Sequence, residues 1–428
     1  MTPPTFLILS QVYVPDPASV GQHVADAAAE LVRRGWRVRV YAAANGYDDP
    51  SKKYPKRETL DGVDIVRLPF SSFGKSSIAV RLLAQWLFLA QAFLRALFTR
   101  NLRAVMVSTS PPFCGFAGAL LSKLRRVPVK YWLMDLNPDQ MIAMGKISPT
   151  SFSAKVFDFF NRTILRQASD IVVLDRFMGD RVNRKLNVAA KISTMPPWPH
   201  EEEVTNLPHA DNPFRKAHNL DGKFVVMYSG NHSPANPIKT VLDAAEELQD
   251  VPNLVFMFIG GGGGKKEVDD RVARGVKNIR SLPYQPLNQL KYSLSAADVH
   301  VVSIGDAVVG IVHPCKVYGA MAMSRPILLL GPNPCHVSDL IEQHQIGWHL
   351  PHGDTRAAVD TIRRMLTTDP AELHAMGRRA GQAIATSLSK PSLMARFCDV
   401  LERGVLPAKA AAPSTPPAAA RSSTERAA

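Results

Sequence analysis

Twice along this chain, short apolar runs of strand character alternate with helical stretches, and a proline-rich break separates the two series. The strand runs of the first series are Phe6–Ser10, Arg37–Ala42, Val63–Leu68, Ala104–Ser108, Val127–Leu133 and Ile171–Leu174. Those of the second are Phe224–Ser229, Leu254–Ile259, Val299–Ile304 and Ile327–Leu330. Helices fall between them, at about Gln22–Arg34 (closed by Gly35), Lys239–Leu248 and Pro286–Ser295. This alternation predicts α/β architecture, a parallel sheet covered by helices, built twice. The break, Met195-Pro-Pro-Trp-Pro199 followed by irregular Pro208 to Asn212, places an interdomain linker near residues 195–215. A cleft between two Rossmann-like domains follows. The expected division is residues 1–200, 201–390, a further helix within 391–405, and a tail over 406–428. That tail is mostly Ala, Pro, Ser and Thr, a composition that predicts disorder.

At 428 residues the chain is long enough for two ordinary domains. Its four cysteines, Cys114, Cys315, Cys335 and Cys398, are scattered, with no C-x-x-C pair or Cys/His cluster suggesting zinc. They suit a reducing cytoplasm. Phe6-Leu-Ile-Leu9 is too short for a signal-peptide core and reads as a first buried strand. The net charge is +14, unevenly placed: between Asp64 and Asp135 there is no acid, and ten basic residues. Such a block predicts an electropositive face on the first domain. An anionic membrane surface or a lipid-linked phosphate suits it; a merely solvated basic face is the plainer alternative. No nucleic-acid module pattern is present. Within the block, Ser77–Thr99 is apolar around most of its circumference, broken only by Arg81, Gln85, Gln91 and Arg95. Its charge-free run is too short to cross a bilayer. It reads as a helix buried in the first domain, with an outer face suited to a membrane interface.

The chemistry concentrates after the strand Val299–Ile304. A loop ends in Gly310-Ile-Val-His-Pro-Cys-Lys316, and a helix opens around Pro314, a residue suited to a first helical turn. Strand, glycine loop and helix N-terminus make an anion site, because unpaired N–H groups and the helix dipole converge. Lys316 adds a full charge. The pyrophosphate of a nucleotide-activated donor fits; an ordinary strand-to-helix connection is the alternative. The run Gly260–Gly264 matches neither the G-x-G-x-x-G nor the Walker spacing.

Pro314-Cys-Lys-Val-Tyr-Gly-Ala-Met-Ala-Met-Ser-Arg-Pro326 resembles the donor-binding segment of the GT-B retaining glycosyltransferases of family 4, in the branch that builds lipid-linked surface polysaccharide. The resemblance implies a GT-B fold, with a last helix, here Pro391–Glu402, crossing back to the first domain. It implies sugar transfer from a nucleotide-sugar donor to an acceptor hydroxyl with retention at the anomeric carbon, and no metal. No Asp-x-Asp motif is present. It further implies a lipid-linked glycan acceptor, and with it the basic interval and the apolar helix Ser77–Thr99 predict a cytoplasmic protein peripheral on the inner face of the membrane. Donor contacts carry over to Gly21, Gly230, Asn231, His232, Gly310, Ile311, Val312, Lys316 and Gly319. Asp135, in Tyr131-Trp-Leu-Met-Asp-Leu-Asn-Pro-Asp139, carries over as the group that positions the acceptor; as a lone aspartate it equally suits a helix N-cap or turn. The loop Ser108–Phe113 would face the acceptor. Two departures stand out. Ile311 and Gly319 occupy the positions of two glutamates, and Asn231 and Asn236 those of an Arg and a Lys. They leave open a catalytically impaired GT-B partner protein; a nucleotide-sugar epimerase is the other alternative.

Overall fold

The computed structural model describes residues 3–405, apart from 17, 47–48, 74–77 and 200–206. The tail assigned to disorder and part of the linker lie outside the described residues.

The first sheet runs through β1 (Thr5–Leu9), β2 (Arg37–Ala43), β3 (Arg57–Leu60), β4 (Val63–Leu68), β5 (Leu102–Ser108), β6 (Val129–Leu133), β7 (Asp170–Val173) and β8 (Ile192–Thr194). Its spatial order is β3-β4-β2-β1-β5-β6-β7-β8. All pairs are parallel except β3 with β4. That hairpin closes through Asp61 and Gly62, both at positive φ (49° and 78°), the conformation that matches the twist of two adjoining strands. Every residue of β1, β6 and β7 is buried, as expected of inner strands covered by helices on both faces.

The second sheet comprises β9 (Phe224–Ser229), β10 (Leu254–Ile259), β11 (Ile279–Leu282), β12 (Val299–Ser303), β13 (Ile327–Leu330) and β14 (Gly347–Leu350). It is parallel throughout, in the order β11-β10-β9-β12-β13-β14.

The helix Lys390–Glu402 returns to the first domain. It packs on the helix Ser19–Arg33. Phe397 lies 4.5 Å from the Trp132 ring and 5.6 Å from that of Trp198. Arg34 Nη1 donates to Asp399 and Glu402, each at 2.7 Å. Trp198, from the linker, is itself anchored in the first domain: its indole N–H donates to Asp26 Oδ2 at 2.9 Å. Both connections between the halves thus converge on one aromatic cluster, which sets where the second sheet stands relative to the first.

The helix Ile78–Leu97 is two-sided. Phe88, Leu89, Ala92 and Ala96 are buried, while Trp86 is 48% and Leu94 57% exposed. Among the described residues no helix is long and apolar enough to cross a membrane.

Candidate active site

A cavity of about 360 Å³ opens between the halves, in the size range of small-molecule sites. The first domain contributes Ser19 and His23, the linker Pro197, Trp198 and Pro199, and the second domain Gly230, Tyr284, Lys316, Tyr318 and Gly319. Second-domain residues come from loops and helix starts beyond the C-terminal ends of parallel strands, where an open α/β sheet presents its ligand crevice.

Lys316 opens the helix Lys316–Ala322. Its Nζ donates to Tyr228 Oη at 2.5 Å and to the Asn231 carbonyl at 3.1 Å, and it stands 4.5 Å from the Tyr228 ring centroid. Desolvation by burial pulls its ammonium down to about 8, so it still carries charge at neutral pH. Gly230 is required for this arrangement. Its φ is +135°, and a Cβ there would stand 2.3 Å from Lys316 Cε. The glycine run has a related cause. A Cβ at Gly260 would lie 2.0 Å from the Gly230 carbonyl oxygen, and one at Gly262 2.2 Å from Asn231 Oδ1. The loops after β9 and β10 therefore meet backbone to backbone.

Other candidate residues take different places. Asn231 turns its carbonyl, not its amide side chain, to Lys316. His232 is buried beneath the same loop, edge-on to Tyr228 at 4.8 Å, and burial lowers it to about 4. Gly21 lies in the first turn of the helix Ser19–Arg33, where a Cβ would stand 3.1 Å from Tyr13 Cα. Gly230, Lys316 and Gly319 line the cavity; Gly21, Asn231 and His232 do not.

The segment Gly310–Val312 runs along the domain interface. Gly310, at φ +70°, lies so close to the helix Arg176–Lys185 that a Cβ would meet the Phe177 carbonyl oxygen at 2.5 Å. The Ile311 carbonyl accepts from Leu136 N–H at 3.2 Å, and that of Val309 from Arg181 Nε at 2.6 Å. Ile311 is buried and Val312 packs on the same core.

Asp135, next to Leu136, caps no helix; its N–H donates to Thr109 Oγ1 at 3.3 Å, in the loop Ser108–Phe113. Burial pushes its carboxyl up to about 6, with no cation to offset the effect, and it bears electrostatically on Cys315 across the interface. Asp139, by contrast, pairs with Lys185.

Sequence reading passed over a further group. Asp175, His313 and His336 bring potential ligand atoms within 4.8 Å of one another. His313 is in the donor-type segment, but its partners are remote in sequence, and no spacing announces them.

Two parallel α/β halves facing a cleft, with the last helix returned to the first half, define the GT-B architecture. Residues 19–198 match the family described as "Glycosyl transferase 4-like domain", and residues 211–383 that described as "Glycosyl transferases group 1". The chain belongs to these GT-B glycosyltransferases. The probable glycosyltransferase WbjE of Pseudomonas aeruginosa is 26% identical over 249 residues, 57% of this chain and 61% of that protein. The match therefore spans under two thirds of that relative's length. The putative colanic acid biosynthesis glycosyl transferase WcaI of Escherichia coli (strain K12) is 25% identical over 324 residues, 73% of this chain and 79% of that protein. Among solved structures, Anabaena HepE in complex with UDP-glucose superposes with a TM-score of 0.68 at 16% identity, over 93% of this chain and 99% of that one. WaaG, a glycosyltransferase involved in lipopolysaccharide biosynthesis, superposes with a TM-score of 0.68 at 15% identity, over 93% and 100%. At such identities the likeness speaks to fold.

Proposed function

We propose that this protein moves a sugar from a nucleotide-sugar donor to the hydroxyl of a lipid-linked glycan in cell-surface polysaccharide synthesis, with retention at the anomeric carbon and without a metal. The observation that carries the reading is the Lys316 ammonium, set at a helix start within the interdomain cavity and partly stripped of water. As the bond from the anomeric carbon to the diphosphate oxygen lengthens, charge grows on that oxygen, and a preorganised cation stabilises it. The acceptor oxygen bonds to the carbon from the same face as the bond to the diphosphate breaks, and the hydroxyl proton passes to the departing diphosphate oxygen. Asp135, buried in the first domain close enough to act on Cys315 across the domain interface, positions the acceptor hydroxyl. Names of relatives support the substrate class: WcaI is described by colanic acid biosynthesis, and HepE is complexed with UDP-glucose.

The acceptor's lipid anchor places the first domain at a membrane surface. Trp86, Leu94 and Phe98 are exposed on and after the helix Ile78–Leu97, with Leu124 exposed on the neighbouring helix Cys114–Arg125. Arg95 and Lys123 on these helices, Arg100 in the turn after the first and Arg103 at the start of β5 are exposed. Apolar groups flanked by arginine and lysine suit an anionic interface.

The test is a panel of nucleotide sugars assayed for thermal stabilisation, since a ligand that binds only the folded state raises apparent stability. Stabilisation by one of them, reduced in Lys316→Ala, is expected. Hydrolysis of that sugar without acceptor would set aside a partner-only role, which the absent carboxylates at Ile311 and Gly319 suggest. Turnover only with a lipid acceptor would set aside an epimerase. A panel without effect would remove the donor reading of the cavity.

A further inference from the structure

We propose that Asp175, His313, Tyr318 and His336 are positioning residues, a hydrogen-bonded chain that ties the first domain to the second and holds Lys316 between its links. The inference rests on the donor reading of Lys316 given above.

Asp175 is the N-cap of the helix Arg176–Lys185, and its carboxylate has two tasks. Oδ1 accepts from the Met178 N–H at 2.8 Å, and Oδ2 faces His313 Nδ1 at 2.8 Å. His313 Nε2 faces Tyr318 Oη at 2.7 Å, and Tyr318 Oη faces His336 Nε2 at 2.8 Å. Asp175, His313 and Tyr318 are all buried.

A proton arrangement that starts from the Asp175 carboxylate satisfies every link. Burial works to raise the Asp175 pKa, but the His313 hydrogen bond, the nearby imidazoles and the Met178 N–H together outweigh it and hold the carboxyl below its ordinary value. Ionised Asp175 therefore accepts from His313 Nδ1–H. In the tautomer that donates through Nδ1, His313 Nε2 is the acceptor for the Tyr318 O–H. Burial lowers His336 to about 3, so it is neutral, and its Nε2–H completes the chain on the phenol oxygen. Ring tautomers follow from the partners in this way. A buried polar chain is costly if any member lacks a partner, so it favours one relative placement of the domains.

That placement bears on the cavity. His313 and Tyr318 flank Lys316 in sequence, so fixing both fixes the backbone from which the ammonium projects. Tyr318 itself lines the cavity. Neighbouring contacts act in parallel: Arg176 donates to both Asp339 carboxylate oxygens, at 2.6 and 2.8 Å, three residues beyond His336. A cation bound by Asp175, His313 and His336 would compete with the chain, because the phenol already occupies His313 Nε2 and His336 Nε2.

The test separates the chain from the helix cap. Tyr318→Phe removes the middle link and keeps the ring. Asp175→Ser keeps an N-cap oxygen and removes the interdomain link. Asp175→Asn keeps both, since its amide donates to His313 Nδ1 and the chain reverses direction. Hydrogen exchange of the ligand-free protein should quicken across residues 311–317 by on the order of tenfold in the first two variants, the consequence of one lost hydrogen bond, and stay near wild type in the third. Unchanged exchange in the first two would overturn the proposal. With UDP, GDP and dTDP as calorimetric probes, Tyr318→Phe should weaken the diphosphate that binds by about tenfold, and by much less in a Lys316→Ala background. Equal losses in both backgrounds would refute positioning of Lys316. If Lys316→Ala alone leaves diphosphate binding intact, the donor reading fails and the positioning role with it, whereas the exchange result stands apart. One Zn²⁺ bound per chain, more tightly in Tyr318→Phe, would replace the proposal with a metal site.

Discussion

Lys316 is held by a tyrosine and a carbonyl, not by a carboxylate, and this determines how it responds to pH and mutation. A lysine whose folded pKa is lowered from 10.5 to about 8 loses its charge as pH rises through about 8. Diphosphate affinity should therefore be high below that value and decline above it. Lys316→Ala should remove a charge-assisted contact of roughly 1.5–3 kcal/mol, with turnover at low donor falling about tenfold or more and melting temperature little changed. An unaltered rate at subsaturating donor would rule out the role. Asp135 has the opposite balance. Its carboxyl is raised from 3.8 to about 6 by desolvation, so the folded state binds the proton more tightly than the unfolded state. Stability attributable to it is lost as pH rises from about 4 to about 6. Asp135→Asn should thus stabilise the protein at pH 7 by about 1 kcal/mol, after allowance for its partial exposure, while lowering turnover. A destabilised but fully active variant would contradict both halves of that argument. Gly319 lies on the cavity wall, at the position where the resembled donor segment implies a glutamate. If the helix accepts it, Gly319→Glu should tighten nucleoside diphosphate binding by calorimetry; weaker binding by a folded variant would mean that the ribose is held elsewhere.

Among elements, inner strands were easily read from sequence and outer ones were not. The unrecognised strands are β3, β8, β11 and β14, which are the four sheet edges. Their sequences, such as Arg57-Glu-Thr-Leu60 and Ile279-Arg-Ser-Leu282, are short and half-polar, because an edge strand is less completely covered than an inner one. The helix Ile78–Leu97 was legible as apolar, but its division into a buried and an exposed face comes only from its contact with the sheet and the helix Cys114–Arg125. Its exposed side supports the membrane proposal, which vesicle partitioning checks. Each basic residue close to an anionic leaflet contributes about 1 kcal/mol, screened by salt. Binding to anionic vesicles should exceed that to neutral ones, fall as salt rises, and weaken when Arg95, Arg100 and Arg103 are changed to Gln, with diphosphate binding intact. Equal partitioning to both vesicle types would remove the electrostatic argument.

For the whole molecule, the returning helix makes one body of two sheets. Phe397 is buried against Trp132 and Trp198, so Phe397→Ala should cost about 3–5 kcal/mol and weaken diphosphate binding as the cleft loosens. A loss confined to stability, with binding unchanged when folded, would mean that the cluster does not set the cleft. The sequence by itself determined the doubled α/β plan, the proline-rich connection and the Lys316 segment, because these depend on local apolar runs, turn residues and a contiguous motif. Only the tertiary structure decided that Gly230 makes room for the Lys316 stem, that Asn231 offers its carbonyl, and that Asp175 and His336 meet His313 and Tyr318. These are contacts between loops separated by many residues, and no periodicity or spacing encodes them; they exist because parallel strands end side by side and the returning helix holds the two sets of ends face to face.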